Sequence, residues 1–321
     1  MCTAITVQSP GGSTWFGRTL DFSYPLSPGL YQVPKNYRWS NLCGTHTIQN
    51  RYGFLGIGQD IHPLVFADGV NEVGFAAAAL YFPGHASYDP AEPASSSALS
   101  IAATELVSFL LGQCGAVRQA AGILHSIRIV GIEDSVTKTI APLHWILTDK
   151  SGECLVVEKT ADGLHLWNNA IGTLTNSPDF PWHMTNLRNY TELSPNQTED
   201  VSWLSTALSP FGQAAGTSGL PGGYTPPARF VRTSYLKSHT DIPAEKEKVP
   251  AVCFHLLESV MIPKGPIITA RGTADYTQYT AVIDLSSQEY FIRNYDSLQV
   301  LRNTADWRSS SGGKLSNVVT I

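Results

Sequence analysis

Met1-Cys2-Thr3-Ala4-Ile5-Thr6-Val7-Gln8-Ser9-Pro10-Gly11-Gly12-Ser13-Thr14-Trp15-Phe16-Gly17-Arg18-Thr19-Leu20-Asp21-Phe22 opens the chain. Residues 3–8 are rich in β-formers and predict a strand. Ser9 to Gly12 are turn residues, and Ser13 to Thr19 reads as the returning strand, so the chain starts as a hairpin. A terminus paired in a sheet escapes the fraying usual at chain ends, and such a hairpin holds Cys2 in place. Met is normally trimmed ahead of a small second residue. Trimming would leave a cysteine carrying a thiol and a free α-amine, two groups that ordinarily titrate close to neutral pH. One residue then supplies both a nucleophile and its base. The plainer alternative is a cysteine of no consequence at a loose end.

Working outward, Phe54 to Gly58 and Asn71 to Ala79 read as strands, with Asp68-Gly69 between them as a tight turn. Ser100 to Gln113 carries Ile101, Leu106, Phe109 and Leu110 at helical spacing, and Gly112 and Gly115 bracket its end. Ala116 to Ile127 is a second amphipathic segment. Strands return at His144 to Asp149, Cys154 to Lys159, Leu164 to Asn168 and Ile171 to Thr175, with Lys150-Ser151-Gly152 as a hairpin turn. Residues 183–228 are rich in Pro, Gly, Ser and Thr and read as a long excursion with short helices. Val249 to Met261 predicts a further helix, and Tyr279 to Leu285 with Glu289 to Asn294 a last hairpin. Strands, then helices, then strands predict one α+β domain over residues 1–321; two stacked antiparallel sheets between helical layers would suit that order, which periodicity alone does not establish.

Composition narrows the function. The chain has 321 residues, 43% hydrophobic and 15% charged, with a formal net charge of −5. That is an ordinary globular balance, and its sign argues against a nucleic-acid or anionic membrane surface as partner. No apolar run reaches the length of a membrane helix. The first twenty residues lack a basic and then apolar leader, so the cytoplasm is the expected location. On that view the sequons at Asn189 and Asn196 are chance matches. Five scattered cysteines without a CxxC form no disulfide framework, and Cys114, Cys154 and Cys253 read as buried thiols. HExxH, GxSxG, the P-loop and GxGxxG are all absent. The histidines are dispersed, so neither a metal nor another cofactor is expected.

Five fragments carry a resemblance: Met1-Cys2-Thr3-Ala4-Ile5; Gly17-Arg18-Thr19-Leu20-Asp21-Phe22; Ala79-Leu80-Tyr81-Phe82-Pro83-Gly84; Leu174-Thr175-Asn176-Ser177-Pro178; and Gly219-Leu220-Pro221-Gly222-Gly223-Tyr224-Thr225-Pro226-Pro227-Ala228-Arg229-Phe230. In this order and spacing, from residue 2 to about 295, they resemble the choloylglycine hydrolase family. That family contains conjugated bile salt hydrolases and penicillin V acylases. The resemblance implies the N-terminal nucleophile hydrolase fold, a four-layer αββα sandwich, and hydrolysis of a linear amide through a thioester without a cofactor.

It also implies roles. Cys2 is the nucleophile and its α-amine the proton shuttle. Arg18, at the end of the returning strand, stabilises the thiolate; otherwise it is a surface arginine. Asp21 orients the α-amine, or else is a turn aspartate. Asn176 points its amide at a developing oxyanion, or else is a turn asparagine before Ser177-Pro178. Tyr81 matches the family's other oxyanion contributor, which is mostly asparagine in bile salt hydrolases and tyrosine in penicillin V acylases. Arg229 matches the arginine that holds the nucleophile region, where the plain reading is a charge on a loop.

The expected substrate walls are Phe22, Tyr24, Tyr81, Phe82 and the loop from about 129 to 142, apolar and aromatic as a bulky acyl group needs. Tyr81 and Ile262-Pro263-Lys264-Gly265 lean toward the penicillin V acylase branch. Conjugated bile salt hydrolysis is the alternative, with N-acyl homoserine lactones, or binding without turnover, more remote. Homotetramers are usual in the family, and the excursion at 183–210 matches the segment that there reaches a neighbour.

Overall fold

The computed structural model describes residues 1–91, 99–134, 138–307 and 314–321. Two antiparallel sheets lie face to face. The first runs, edge to edge, Thr173–Leu174, Cys2–Gln8, Thr14–Phe22, Tyr276–Asp284, Glu289–Asn294 and Leu301–Thr304. The second runs Gly163–Asn168, Cys154–Thr160, Leu143–Thr148, Ala76–Tyr81, Leu64–Asn71, Phe54–Asp60, Gly29–Val33 and Ser316–Thr320. Successive side chains along each strand enter different layers. Ala76, Ala78 and Leu80 point between the sheets, where they meet Ala4, Phe16, Leu20, Ala281 and Ile283. Phe75 and Ala77 point outward onto helices α1 (Leu106–Gln113) and α2 (Val117–Leu124). On the far side Ile5, Val7, Trp15 and Val282 pack on α5 (Val249–Glu258). The outcome is the four-layer αββα sandwich. Strands covered on both faces read as continuous apolar runs rather than as alternation, which is why periodicity alone left the stacking open.

The opening hairpin forms as expected, over Cys2–Gln8 and Thr14–Phe22, with Cys2 opposite Leu20. Gly12 closes its turn at φ +84°, a left-handed conformation that suits glycine. Other expectations are corrected. Asp68-Gly69 is no turn but lies inside the strand Leu64–Asn71. Gly69 is needed there because a Cβ would sit 2.5 Å from the Leu111 side chain of α1. Asn71 to Ala79 is accordingly two strand pieces separated by a turn at Glu72 to Gly74. The helix read from Ser100 starts only at Leu106, because Leu99–Ala102 pairs in parallel with Ile127–Val130. Ile171 to Thr175 contributes only Thr173–Leu174 to the ladder.

The excursion begins within α3 (Phe180–Asn186) and ends within α4 (Pro226–His239), a helix the sequence reading passed over. Pro226 and Pro227 open this helix. They occupy the first turn, where a missing N–H costs nothing, and Thr225 caps the helix by accepting from the Ala228 N–H. Among the described residues no helix is long and apolar enough to cross a membrane.

Candidate active site

Cys2 begins its strand with its side chain turned between the sheets, beside Ala4, Leu20 and Arg18 on the same face. Arg18 is fully buried and bridges the two sheets. Its Nη2 donates to Cys2 Sγ at 3.0 Å, and its Nη1 donates across the gap to Ala67 O at 2.9 Å and Ala79 O at 3.1 Å. Asp68 Oδ2 lies 3.6 Å from Arg18 Nη1. The same carboxylate accepts from the Tyr279 hydroxyl at 2.6 Å and the Tyr290 hydroxyl at 3.1 Å. Burial opposes the Arg18 charge, but the acidic groups Cys2, Tyr279, Asp68 and Asp21 outweigh it and hold the guanidinium charged above its usual range. A fixed cation therefore sits against the thiol.

The other four cysteines differ. Burial pushes the thiols of Cys114, Cys154 and Cys253 up to about 12 and raises that of Cys43. None of them is a ready thiolate at neutral pH.

Thr3, Thr19 and Asp21 face the opposite way, toward α4. Arg229, placed by the first turns of that helix rather than by a loop, donates to Cys2 O and to Thr3 Oγ1, both at 2.6 Å, and to Asn176 Oδ1 at 2.6 Å. Its guanidinium lies 4.0 Å from Asp21 Oδ2. The Asp21 carboxylate accepts from the hydroxyls of Thr277 at 2.6 Å and Thr19 at 3.3 Å. Burial raises its proton affinity, and Arg229 and the chain's ammonium oppose that. The free amine here belongs to Met1. It donates to Asp21 O at 2.6 Å and meets Asp275 Oδ2 at 3.3 Å, while the Asp21 N–H donates to Met1 O. Cys2 N is therefore an amide in this form, and it donates to Asn176 Oδ1 at 2.9 Å.

Asn176 departs from expectation in detail. Its Nδ2 donates to Tyr81 O at 2.7 Å rather than into open space. Thus it ties the strand of Cys2 to the end of Ala76–Tyr81 in the facing sheet. Two buried histidines brace it. His183 Nε2 lies 2.7 Å from Asn176 O, and His144 Nε2 lies 3.1 Å from Thr175 O, with His144 Nδ1 on Glu158 at 3.2 Å. His183 stacks on Phe230 of α4 with ring centroids 4.5 Å apart.

A cavity of about 610 Å³ opens beside the thiol, within the range of ligand sites. Cys2, Arg18, Asp21, Phe22, Tyr24 and Tyr81 all reach its wall, which Ile57, Phe66 and Leu143 make apolar. Asp134 and Ala141 represent the loop expected at 129–142, whose positions 135–137 lie outside the described residues. Phe82 does not reach the cavity. The period-two alternation turns it away from Tyr81 into the core, where it stacks on His144 with centroids 4.3 Å apart and has no exposed surface. Ile262 is likewise buried, its N–H held by Thr277 Oγ1. The Ile262-Pro263-Lys264-Gly265 segment touches no part of the cavity wall. Asp68, His183 and Asp275 went unread in the sequence. The one local signal for Asp68 was an acid within an apolar run, which the following glycine disguised as a turn.

Burial pulls the His183 imidazole down from 6.5 to about 4, and among the described residues its Nδ1 has no polar partner. Between these values the unfolded chain binds the extra proton and the folded one does not. Stability is therefore fully present above pH 6.5 and falls as pH drops, by about 3 kcal/mol at the acid limit. His183→Gln keeps a donor for Asn176 O and removes the titration. Urea unfolding at pH 7 and 4.5 should show the unmodified protein losing about 2 kcal/mol more than the variant; equal losses would refute the assignment.

The sequence model of the linear amide C–N hydrolases of the choloylglycine hydrolase family matches residues 2–306. The bile salt hydrolase/transferase of Clostridium perfringens is 32% identical over 303 residues, covering 94% of this chain and 91% of that protein. The crystal structure of the C2A mutant conjugated bile acid hydrolase from Clostridium perfringens matches with a TM-score of 0.90 at 29% identity, over 99% of this chain and 96% of that one. Penicillin V acylase of Pectobacterium atrosepticum is 25% identical over 317 residues, covering 91% of this chain and 78% of that protein.

Proposed function

The chain belongs to the choloylglycine hydrolase family of linear amide C–N hydrolases, and we propose that it cleaves N-acyl amides of a bulky apolar acid, bile salt conjugates foremost. The observation that carries this is the Cys2 thiol, 3.0 Å from a buried arginine, at the wall of a large apolar cavity. Loss of Met1 frees the Cys2 α-amine. That amine takes the thiol proton, and the thiolate, held by Arg18, attacks the amide carbon. The oxyanion forms at the end of Ala76–Tyr81. Ala79 O and Tyr81 O leave one edge of that strand toward Arg18 and Asn176, and the Tyr81 N–H leaves the same edge, since a strand residue's two polar groups point one way. Asn176 Nδ2 is the second donor. A backbone donor explains why tyrosine at position 81 does not exclude bile salts. The ammonium then protonates the leaving nitrogen, the C–N bond breaks, and an acyl thioester remains. Water gives its proton to the same amine, attacks the thioester and releases the acid and the thiol. Asp21 and Arg229 hold the terminus in line through Thr277, Thr19, Thr3 and Cys2 O.

Of the two features that favour penicillin V, the second reading, only Tyr81 lies on the cavity wall. The greater identity to the bile salt hydrolase outweighs one wall residue, because both acyl groups need the same apolar cavity. Incubation with glycocholate, taurocholate and penicillin V, followed by mass spectrometry with Cys2→Ala as control, tests the choice. The bile conjugates should turn over at least about tenfold faster by kcat/KM, a difference of about 1.4 kcal/mol; cleavage of penicillin V alone would overturn it.

The enzyme is also proposed to be a cytoplasmic homotetramer. Five free cysteines suit a reducing compartment. The hairpin Val201–Trp203 and Thr206–Leu208 carries Trp203 at 73% exposure, with Leu204 and Phe211 fully exposed nearby. Such a patch on the excursion needs a covering surface. Light scattering returning a monomer mass would refute the assembly, and cell fractionation checks the location.

A further inference from the structure

The geometry points to Arg271 as the residue that recognises an anionic leaving group, the carboxylate or sulfonate of the amino acid released from the amide. This rests on the amidohydrolase reading above and deepens it. Among the described residues, the cavity wall carries two cations, Arg18 and Arg271. Arg18 is buried and committed to the thiol, Asp68 and three carbonyls. Arg271 is exposed at the opening, and its guanidinium donates to the Tyr24 hydroxyl at 3.2 Å.

Its support is built for a fixed position. Residues 267–275 fold back on themselves. Asp275 N donates to Ile267 O, Ile268 bridges Ala274, and Thr269 N donates to Thr273 O. Gly272, at φ +75°, closes the turn by donating to Thr269 O, and Arg271 stands at its tip. The base of this hairpin is Asp275, 3.3 Å from the ammonium of Met1, the residue just before the nucleophile. The amide nitrogen must depart beside the amine that protonates it. The hairpin therefore rises from the leaving-group end of the site. An amino acid leaving there directs its anion away from the reacting nitrogen, along the hairpin toward the guanidinium and the Tyr24 hydroxyl. A guanidinium suits both carboxylate and sulfonate because its N–H groups form a planar fork. An exposed contact of this kind weakens with added salt.

The test compares cholylglycine with cholylglycinamide, which share every atom except those that carry the charge. In the mature enzyme Arg271→Ala should raise KM for cholylglycine about tenfold, with kcat within about twofold and cholylglycinamide unaffected. Arg271→Lys should restore part of the loss, and Arg271→Glu should exceed it. Added sodium chloride should raise KM for the anionic substrate in the parent protein and much less in Arg271→Ala. Equal effects on both substrates, or none on either, overturn the proposal. Calorimetric binding of both compounds to Cys2→Ala, with and without Arg271, separates the two readings. Arg271-dependent preference for the anion without turnover by the parent enzyme would support the subsite and overturn the amidohydrolase reading. Binding indifferent to the charge would overturn the subsite whatever the turnover.

Discussion

Cys2→Ser should lower kcat on the preferred substrate by at least about 10³-fold, and Cys2→Ala should reduce it to background, while both proteins stay folded. A serine hydroxyl ionises far above the range in which an α-amine acts as base. The shorter oxygen side chain also withdraws from Arg18 Nη2, now 3.0 Å from sulfur. Arg18 would then remain a cation with no anion to stabilise. A chain that keeps Met1 should be equally inactive, because Cys2 N is then an amide committed to Asn176 Oδ1 and has no basic lone pair. Steady-state rates, with intact mass to establish the terminus and circular dichroism to establish the fold, measure all three. Near-native turnover by Cys2→Ser, or full activity with Met1 present, would refute the mechanism.

Asp68→Ala should cost about 3–5 kcal/mol of stability, as expected when one partner of a buried ion pair is removed. Arg18 and Asp68 are both without exposed side-chain surface, and the substitution strands the guanidinium together with the hydroxyls of Tyr279 and Tyr290. Asp68→Asn, which keeps an acceptor but not the charge, should cost less and still slow the reaction. Its distinct signature is the thiol. Alkylation of Cys2 by iodoacetamide should slow near neutral pH as Arg18 loses its anchor, a change that looser packing alone would not produce. Urea unfolding and the pH dependence of alkylation measure the two effects. A stability loss under about 1 kcal/mol, or an unchanged alkylation profile, would remove Asp68 from the positioning of Arg18.

What each level of description could reveal follows from how far its interactions reach. The opening hairpin was legible because β-propensity and turn chemistry act within a few residues, and Gly12 does close that turn. Local rules also misled. Asp68-Gly69 has turn chemistry, yet Gly69 is small to admit Leu111 of α1. Pro226-Pro227 looks like a break but is a helix start. Phe82 looks like a wall, but strand alternation carries it to the far side of Tyr81. Tyr81 pointed to one substrate branch, although the backbone N–H proposed as the donor at that position is indifferent to its side chain.

By itself, the sequence determined the family and the kind of reaction, and it pointed to Cys2 as the proposed nucleophile, since fragments around Cys2, Arg18, Asn176 and Arg229 keep a recognisable order and spacing. Only the tertiary structure decided which groups surround Cys2. Arg229 meets Cys2 O from 227 residues away, and Asn176 meets its N–H from 174 away. No local pattern encodes such contacts. They exist because apolar faces on both sides of each sheet bring the four layers together, and the charges left inside must find partners there.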